Sequence, residues 1–564
     1  MTDIRRTVLW VVFTMSLVLL WDGWQKYNGH PSMFAPPAPK AAAPAPGTAA
    51  SAGVPAATAA AGQAPVATAA PTAPSEKITI HTDVLTVTVD TLGGDIVRAE
   101  LPKYLTSPDP TVTDQLLQMV HLQKKPEFTP EPVVLFNAAQ NYRAQTGLVG
   151  AQGPLPSHLT PMTAVAGPRA LEAGQNEVKL RLESAEVGGV KLVKTYTFKR
   201  GVYTVGVTHE IVNAGGAPVT PQVYLQLVRD GSVVHGGAGF TPSFTGPAVY
   251  NDKTKFKTLK FEDIDKGKVD IEKQAGDGWV AMVQHYFASA WLVNEAGNRE
   301  FFVRKQPDHT YATGMVFTLP TLAPGASTTQ TATLFAGPQE ENNLAALAPG
   351  LERVKDYGVL TIIAEPLFWL LDKLHGFIGN WGWTIVALVL LLKVALYWLN
   401  ASAYRSMAKM KAVAPRINEL KERYKDKPQE MQQAMMQIYR EEKVNPIGGC
   451  LPIFAQMPIF MALYWVLLST VEMRQAPWIL WITDLSVRDP YFILPLLMMA
   501  TSLFQVWLNP PAQDPMQQKM MWIMPVAFGV MFFVFPAGLV LYWLTNNILS
   551  IAQQWMINRQ LGVN

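Results

Sequence analysis

A single lysine in a long apolar run is the most unusual chemical feature of the sequence. Lys393 lies near the middle of residues 382–405, GWTIVALVLLLKVALYWLNASAYR, a run long enough to cross a bilayer as one helix. An ammonium near the bilayer midplane costs roughly 2.5 to 3.5 kcal/mol on insertion scales, so it requires compensation. No Asp or Glu occurs in the other C-terminal apolar runs, which are residues 451–471, 490–508, 520–535 and 538–556. Either backbone carbonyls and amides satisfy Lys393, or it lines a wet cavity that receives an acidic or polar partner.

Uncharged polar residues are expected to share this cavity. Tyr397 and Asn400 follow Lys393 by four and seven residues, so a continuous helix would carry all three on one face. The later apolar runs add further polar side chains, at Gln456, Thr545, Asn546 and Asn547. Together they predict a hydrophilic groove that opens to the cytoplasm, although membrane helices also use single polar residues for packing.

Signals for enzymatic chemistry are weak. The nine histidines form no HExxH or other metal-binding spacing. Residues 236–239, GGAG, lack the strand, helix and Lys-Ser/Thr context of a phosphate-binding loop. We therefore predict no enzymatic activity, no metal and no cofactor. The single cysteine, Cys450, excludes an intramolecular disulfide, and a net charge of +3 does not indicate nucleic-acid binding.

The N-terminal residues predict a membrane anchor followed by a tether. Arg5 and Arg6 precede an apolar run, which predicts an uncleaved signal anchor over residues 1–28 with a cytoplasmic N-terminus. Residues 29–75 are mostly Ala, Pro, Gly, Thr and Ser, too poor in large apolar side chains to pack. They predict a periplasmic linker.

Residues 76–350 change to an alternation of apolar and polar residues with a period of two. Strand-like runs such as VKLRLES, KLVKTYTFKR and QVYLQLVR, separated by Gly, Pro and Asn, predict a large β-sandwich. Residues 351–380 are apolar but interrupted by charges and a proline, which favours an amphipathic helix lying in the membrane interface.

Residues 381–564 predict five further spans, giving six in total and placing both termini in the cytoplasm. The basic segment 401–445 predicts a cytoplasmic hairpin of two short helices that turns at Pro428. Its apolar stripe includes Met410, Ile417, Leu420, Tyr424 and Met435. Its basic residues could approach ribosomal RNA or anionic lipid, and a solvated positive-inside face explains them equally well.

Several C-terminal motifs closely resemble those of the YidC family of bacterial membrane-protein insertases. They are FIGNWGWTI, YRSMAKMKAVAPRI, EEKVNPIGGCLPIFAQMPIFMALYWVL, DPMQQKMMWIMP and FPAGLVLYW. The resemblance implies a polytopic α-helical membrane protein with six transmembrane helices and a cytoplasmic helical hairpin, plus a large periplasmic β-supersandwich. It also implies an insertase and chaperone that receives nascent hydrophobic segments in a cytoplasm-open groove and releases them laterally into the inner membrane.

The resemblance further implies partners and site residues. The partners are nascent membrane proteins, the lipid bilayer, the Sec translocon with its accessory subunits, and the ribosome as a further candidate. The essential groove charge would be Lys393, where the family usually has Arg; lysine keeps the charge but loses the planar guanidinium fork. The C-terminal tail carries only Arg559, which argues against ribosome docking through that tail. Client segments would contact Phe454, Pro458, Phe460, Met461, Met524, Phe528, Phe532, Tyr542 and Trp543.

Two other functions remain open at this point. One is a secondary transporter of an anionic solute, for which inverted repeats would be expected and are not evident. The other is a periplasmic carbohydrate-processing domain on a membrane anchor, which would leave the C-terminal helices without a role.

Overall fold

The computed structural model describes residues 75–107, 112–119, 128–151, 153–233, 244–424, 427–442, 451–509 and 515–560. The anchor predicted over residues 1–28 and all but the last residue of the linker predicted over 29–75 lie outside these ranges.

The alternating segment forms two antiparallel sheets, each with nine strands among the described residues. Numbered in chain order, the first sheet has the strand sequence β1 (Lys77–His81), β2 (Thr86–Asp90), β3 (Asp95–Leu105), β5 (Arg143–Val149), β10 (Gln222–Arg229), β17 (Tyr311–Thr318), β16 (Arg299–Lys305) and β13 (Gln274–Ala275), with β4 (Pro132–Val134) paired to β3. The second has the sequence β12 (Lys255–Thr258), β11 (Gly246–Asn251), β14 (Trp279–Val283), β15 (Phe287–Leu292), β18 (Ser327–Pro338), β9 (Thr204–Asn213), β8 (Val190–Lys199), β7 (Glu177–Ser184) and β6 (Met162–Ala164).

One hydrophobic core joins the two sheets. It contains Leu225 of the first sheet together with Val207 and Leu334 of the second, all fully buried. Along β9 buried and half-buried residues alternate strictly, as the sequence pattern requires of a strand with one face in a core. This arrangement is consistent with the predicted β-sandwich.

Eleven α-helices are found in the described ranges, most of them after the sheets. They are α1 (Val112–Met119), α2 (Phe261–Asp265), α3 (Glu341–Leu347), α4 (Thr361–Ile378), α5 (Trp381–Ala395), α6 (Tyr397–Arg423), α7 (Pro428–Glu441), α8 (Leu451–Ser469), α9 (Ile493–Leu508), α10 (Pro515–Met531) and α11 (Ala537–Gln560). Short 3-10 segments occur at Ala138–Gln140, Leu351–Val354, Gly358–Leu360, Val471–Met473 and Phe532–Val534.

The run around Lys393 is not one straight helix. It breaks at Leu396, and α5 and the first part of α6 meet at 67°. No Pro or Gly lies at the break, but Gln553 Nε2 donates to the carbonyl of Tyr397 at 3.4 Å. This tertiary contact lies one residue beyond the break. Lys393 therefore lies in the last turn of α5, and the residues that follow it do not continue the same straight helix face.

A membrane span requires a helix that is both long and apolar. Of the helices in the described ranges, none meets the criterion alone, whereas Trp381–Ala395 and Tyr397–Ser406 meet it as a bent pair. Shorter apolar helices occur at Gln456–Ser469, Ile493–Leu508 and Gln518–Val534. The count of six spans remains a prediction.

Helix α11 contacts α5, α6, α8 and α9. Asn547 Nδ2 donates to Ser502 Oγ at 2.7 Å, and Gln554 Nε2 donates to Asn509 Oδ1 at 2.9 Å. From the first of these bonds to the second, the residue on α11 and its partner on the α9 side both lie seven positions later in the sequence. Helices α9 and α11 therefore run in the same direction.

The predicted hairpin is formed by α6 and α7. Its small core contains the buried Val413 and Ile417, with Met410, Met435, Ile438 and Tyr439 packed against them. Helix α6 is longer than the predicted short helix, since it begins at Tyr397 rather than near residue 401. Pro428 is the first residue of α7, while Leu420 and Tyr424 are half-buried outside the core cluster. An ion pair between Arg416 and Glu442 closes the open end.

The β domain contacts the segment between α8 and α9. Arg474 Nη2 donates to the carbonyl of Leu105 at 2.8 Å, and its guanidinium lies 5.2 Å from the centre of the Tyr286 ring. Gln115 Nε2 donates to the carbonyl of Asp489 at 2.9 Å. These contacts join strand β3, helix α1 and the β14–β15 turn to the helical part.

Candidate functional site

A small cleft, partly open to solvent, lies between α5, α6, α8 and α11. Its apolar lining consists of Val389, Leu392, Leu396, Ile459 and Tyr542. Its polar lining consists of Lys393, Asn400, Gln456 and Asn546. One positive charge thus faces a small cleft with three amide side chains.

Lys393 is only 9% exposed, and its Nζ donates to Ser550 Oγ at 2.7 Å. The same hydroxyl donates its one hydrogen to the carbonyl of Asn546, also at 2.7 Å. Within the described ranges no carboxylate lies within 4.0 Å of the Lys393 ammonium. The charge is therefore hydrogen-bonded by a neutral group and is not neutralised.

The structure brings some of the predicted groove residues together and separates others. Asn400 lines the cleft at 6% exposure, and its Nδ2 has no hydrogen-bond partner among the described residues. Gln456 Nε2 donates to Asn546 Oδ1 at 3.1 Å, which links α8 to α11 across the cleft.

Three predicted groove residues are not in the cleft lining. Tyr397 follows the bend, and its ring lies edge-on to Trp398 with centroids 6.0 Å apart. Asn547 points to Ser502 on α9, and Thr545 is buried within the bundle. Thr545, Asn546 and Asn547 are consecutive residues of α11, and consecutive helix residues point in different directions. Of these three, only Asn546 therefore faces Lys393.

The residues predicted to contact client segments fall into two groups. Pro458 is exposed, and Met461, Met524 and Phe528 are 37%, 48% and 45% exposed. The other group forms an aromatic cluster inside the bundle, consisting of Phe460, Phe532, Tyr542 and Trp543.

The packed group is held by short ring contacts. Phe460 meets Trp543 edge-on at 4.4 Å and stacks on Tyr542 at 5.8 Å, and Phe532 lies 5.1 Å from Trp543. Phe532 and Tyr542 are 2% and 4% exposed. The side chain of Phe454 lies outside the described residues. Phe460 and Trp543 are half-buried, so the first group presents the more exposed surface to another molecule.

Ser550 is the residue that the sequence interpretation missed. A serine in an apolar run is an unremarkable helix residue, so its type carried no signal. Its position did, because Asn546, Ser550 and Gln553 are spaced by four and three residues and form one polar stripe on α11.

Comparison with known proteins gives matches over nearly the whole chain. The family model described as 60Kd inner membrane protein matches residues 373–563, and the model described as YidC periplasmic domain matches residues 77–370. A membrane protein insertase YidC from Cupriavidus necator is 53% identical over 99% of this chain and 98% of its own length. Another from Ralstonia nicotianae is 52% identical over 100% and 99%, respectively.

Solved structures show weaker likeness. The crystal structure of an active YidC insertase with its first transmembrane domain resolved is 20% identical, covering 85% of this chain and 92% of that one at a TM-score of 0.39. A galactose mutarotase related enzyme from Lactobacillus acidophilus is 10% identical, covering 46% of this chain and 97% of that one at a TM-score of 0.29. Because both TM-scores are low, the assignment to a family rests on the relatives found by sequence.

Proposed function

Because the chain belongs to the YidC family of membrane protein insertases, we propose that Lys393 and its cleft hold the hydrophilic flank of a client segment during insertion. The protein is an insertase and not an enzyme, its location is the inner membrane, and its substrates are nascent membrane proteins. The observation that carries the proposal is the bond from a buried ammonium to a neutral hydroxyl, at the edge of a cleft.

The proposed role follows from the unneutralised charge. A lysine ammonium has three donors, and one of them is used on Ser550. The other two can serve a carboxylate, and Asn400 Nδ2 offers a further donor on the same cleft. A client aspartate or glutamate would neutralise Lys393 and be hydrogen-bonded at once. Charge-assisted hydrogen bonds of this kind are about twice as strong as those between neutral groups.

The apolar part of the client would pass along the exposed face of α8 and α10. Met461, Met524 and Phe528 form part of this face, and methionine side chains adapt to segments of varied shape. Membrane potential would assist the transfer of an acidic flank by roughly 2.3 kcal/mol per charge per 100 mV. No covalent intermediate is required.

The proposal also includes the predicted topology and partners. Both termini would be cytoplasmic, with six spans, the interfacial helix over 351–380 and the β domain over 76–350 outside. The Sec translocon with its accessory subunits would act beside the protein on larger clients. The basic surface of the α6–α7 hairpin would face the ribosome.

The test is replacement of Lys393 in a strain depleted of the native protein. We expect Lys393→Ala and Lys393→Glu to block insertion of small clients with acidic tails, and Lys393→Arg to support it, because only Arg retains the charge. Protease protection of the client tail measures insertion. Lys373→Ala, which removes an exposed lysine of α4, is the matched control. Normal insertion of acidic clients by Lys393→Ala would refute the role of the charge.

A further inference from the structure

Ser550 lies behind the cleft and touches its only charged residue. It is 4% exposed and is not part of the lining, yet its Oγ accepts the hydrogen bond from Lys393 Nζ at 2.7 Å. A client could not contact Ser550 directly while Lys393 occupies the space between them. Any influence of Ser550 on insertion must therefore act through the ammonium.

The direction of the hydrogen bond between Lys393 and Ser550 is fixed because an ammonium can only donate, and Tyr404 is a further hydrogen-bonding neighbour of the same hydroxyl. The Ser550 hydroxyl donates to the carbonyl of Asn546 one helical turn earlier, so only its lone pairs face Lys393. Asn546 in turn accepts from Gln456 Nε2 at 3.1 Å through its side chain. The chain of bonds fixes the ammonium at one point where α5, α8 and α11 meet.

We propose that Ser550 is the positioning residue of the insertase cleft: its hydroxyl orients the Lys393 ammonium so that the two remaining N–H donors point to the client carboxylate. This inference rests on the proposed function of Lys393 and deepens it. A hydroxyl suits the task because it accepts a hydrogen bond without cancelling the charge. A carboxylate at the same position would hold the ammonium as an ion pair, and an apolar side chain would leave it free to turn.

The test compares two versions of one client in proteoliposomes containing the purified full-length protein. One version has an acidic tail, and in the other the acidic residues are changed to their amides. The ratio of acidic to neutral insertion reports on the use of the charge. We expect Ser550→Ala to lower this ratio by about tenfold, the scale of one hydrogen bond to a charged group, and to leave insertion of the neutral client unchanged.

Two further variants test whether the hydroxyl itself is required and whether a carboxylate can replace it. Ser550→Thr keeps a hydroxyl and should restore the ratio. Ser550→Asp should lower the ratio as far as Lys393→Ala does, although Lys393 is still present. The matched control is Ser502→Ala, which removes a different interhelical serine hydroxyl, bonded to Asn547 on the α9 side. It should leave the ratio unchanged.

An unchanged ratio in Ser550→Ala, or an equal loss of both clients with no rescue by Ser550→Thr, would overturn the inference. If Ser550→Ala does not accumulate, Ser550→Cys fills the position with a weaker hydrogen-bond acceptor and answers the same question. A ratio that falls in Lys393→Ala but not in Ser550→Ala would remove only the positioning role. A ratio that survives Lys393→Ala would remove the proposed function as well.

Discussion

At the scale of single residues, the chemistry of this chain depends on how a buried cation is satisfied. Lys393 bonds a serine, so its charge stays available, whereas Lys355 lies between two carboxylates. Its Nζ is 3.9 Å from Glu341 and 3.8 Å from Glu472, and 3.5 Å from the centre of the Phe368 ring. The bond from Lys393 to a neutral hydroxyl leaves its charge available to a partner that can exchange. The two carboxylates beside Lys355 instead suit a permanent contact.

The split between exposed and packed aromatic residues predicts two kinds of variant. Phe532→Ala removes a 2% exposed ring from the aromatic cluster, so we expect a loss of about 3 to 5 kcal/mol of stability. Phe528→Ala removes a 45% exposed ring and should leave stability almost unchanged while reducing insertion of apolar clients. Thermal unfolding in detergent, measured beside insertion, separates the two effects. Equal stability losses would contradict the placement of Phe532.

The unusual residue was predictable from the sequence, and its environment was not. Lys393 stands out because it is a lone cation among apolar residues. Ser550 does not, because its importance comes from a contact with a residue 157 positions away. Gly93 and Thr146 likewise give no sign in the sequence that their carbonyls accept from the buried Lys194.

At the scale of elements, short-range patterns predicted strands well where one face of the strand is buried. The runs VKLRLES and KLVKTYTFKR, apart from the final Arg200, lie in β7 and β8, where buried and less buried residues alternate over most of the strand; QVYLQLVR was also recognised, although β10 is buried along its whole length. Strands β14 and β15 are likewise buried along their whole length, and their sequences WVAMV and FASAWL are almost entirely apolar, so they show no alternation and the pattern missed them. The bend after α5 was also missed, since no local helix breaker marks it in the sequence.

The entry of the chain into α5 depends on Gly382. A Cβ at this position would lie 2.2 Å from Cδ1 of Trp478, so we expect Gly382→Ala to cost about 1 to 3 kcal/mol through overpacking. The midpoint of thermal unfolding in detergent measures the loss. Gly376→Ala in α4 is the matched control, because a Cβ there would have no neighbour within 4 Å. A Gly382→Ala variant as stable as this control would show that Trp478 does not pack on α5 as described.

At the scale of the whole molecule, the β domain is attached to the helical part by charged and aromatic contacts. Burial lowers the pKa of Lys355 and raises the pKa of Glu472, and the two groups lie at the junction of the domains.

The family assignment decides between the insertase and the anionic-solute transporter, which the residues alone had left open.

Two buried histidines predict that the β domain loses stability in acid. Burial lowers the pKa of both His158 and His209 to about 3, from an ordinary value of 6.5. The unfolded chain therefore binds protons that the folded chain rejects as the pH falls from about 6.5 toward about 3, and stability falls with it. Asp95 opposes this trend, because burial raises its pKa to about 7 and the folded chain takes up that proton.

Replacing one histidine isolates its contribution to the loss of stability in acid. We expect His209→Gln to weaken the acid dependence of unfolding by up to about 1.4 kcal/mol per pH unit below pH 6. Circular dichroism of the strands in the detergent-solubilised chain, at a series of pH values, measures it. His81→Gln, at an exposed position of β1, should keep the dependence of the native protein. An unaltered dependence in His209→Gln would mean that His209 is not held neutral in the folded state.

The most direct test of the account is photocrosslinking from two adjacent residues of α5 to a stalled client with an acidic flank. Leu392 lines the cleft beside Lys393, whereas Leu391 is 41% exposed and lies outside the lining. We predict that a probe at 392 crosslinks to the acidic flank, that a probe at 391 does not, and that Lys393→Ala abolishes the adduct from 392. Equal adducts from both positions, or an adduct from 392 that survives Lys393→Ala, would contradict the claim that this cleft holds the client through its charge.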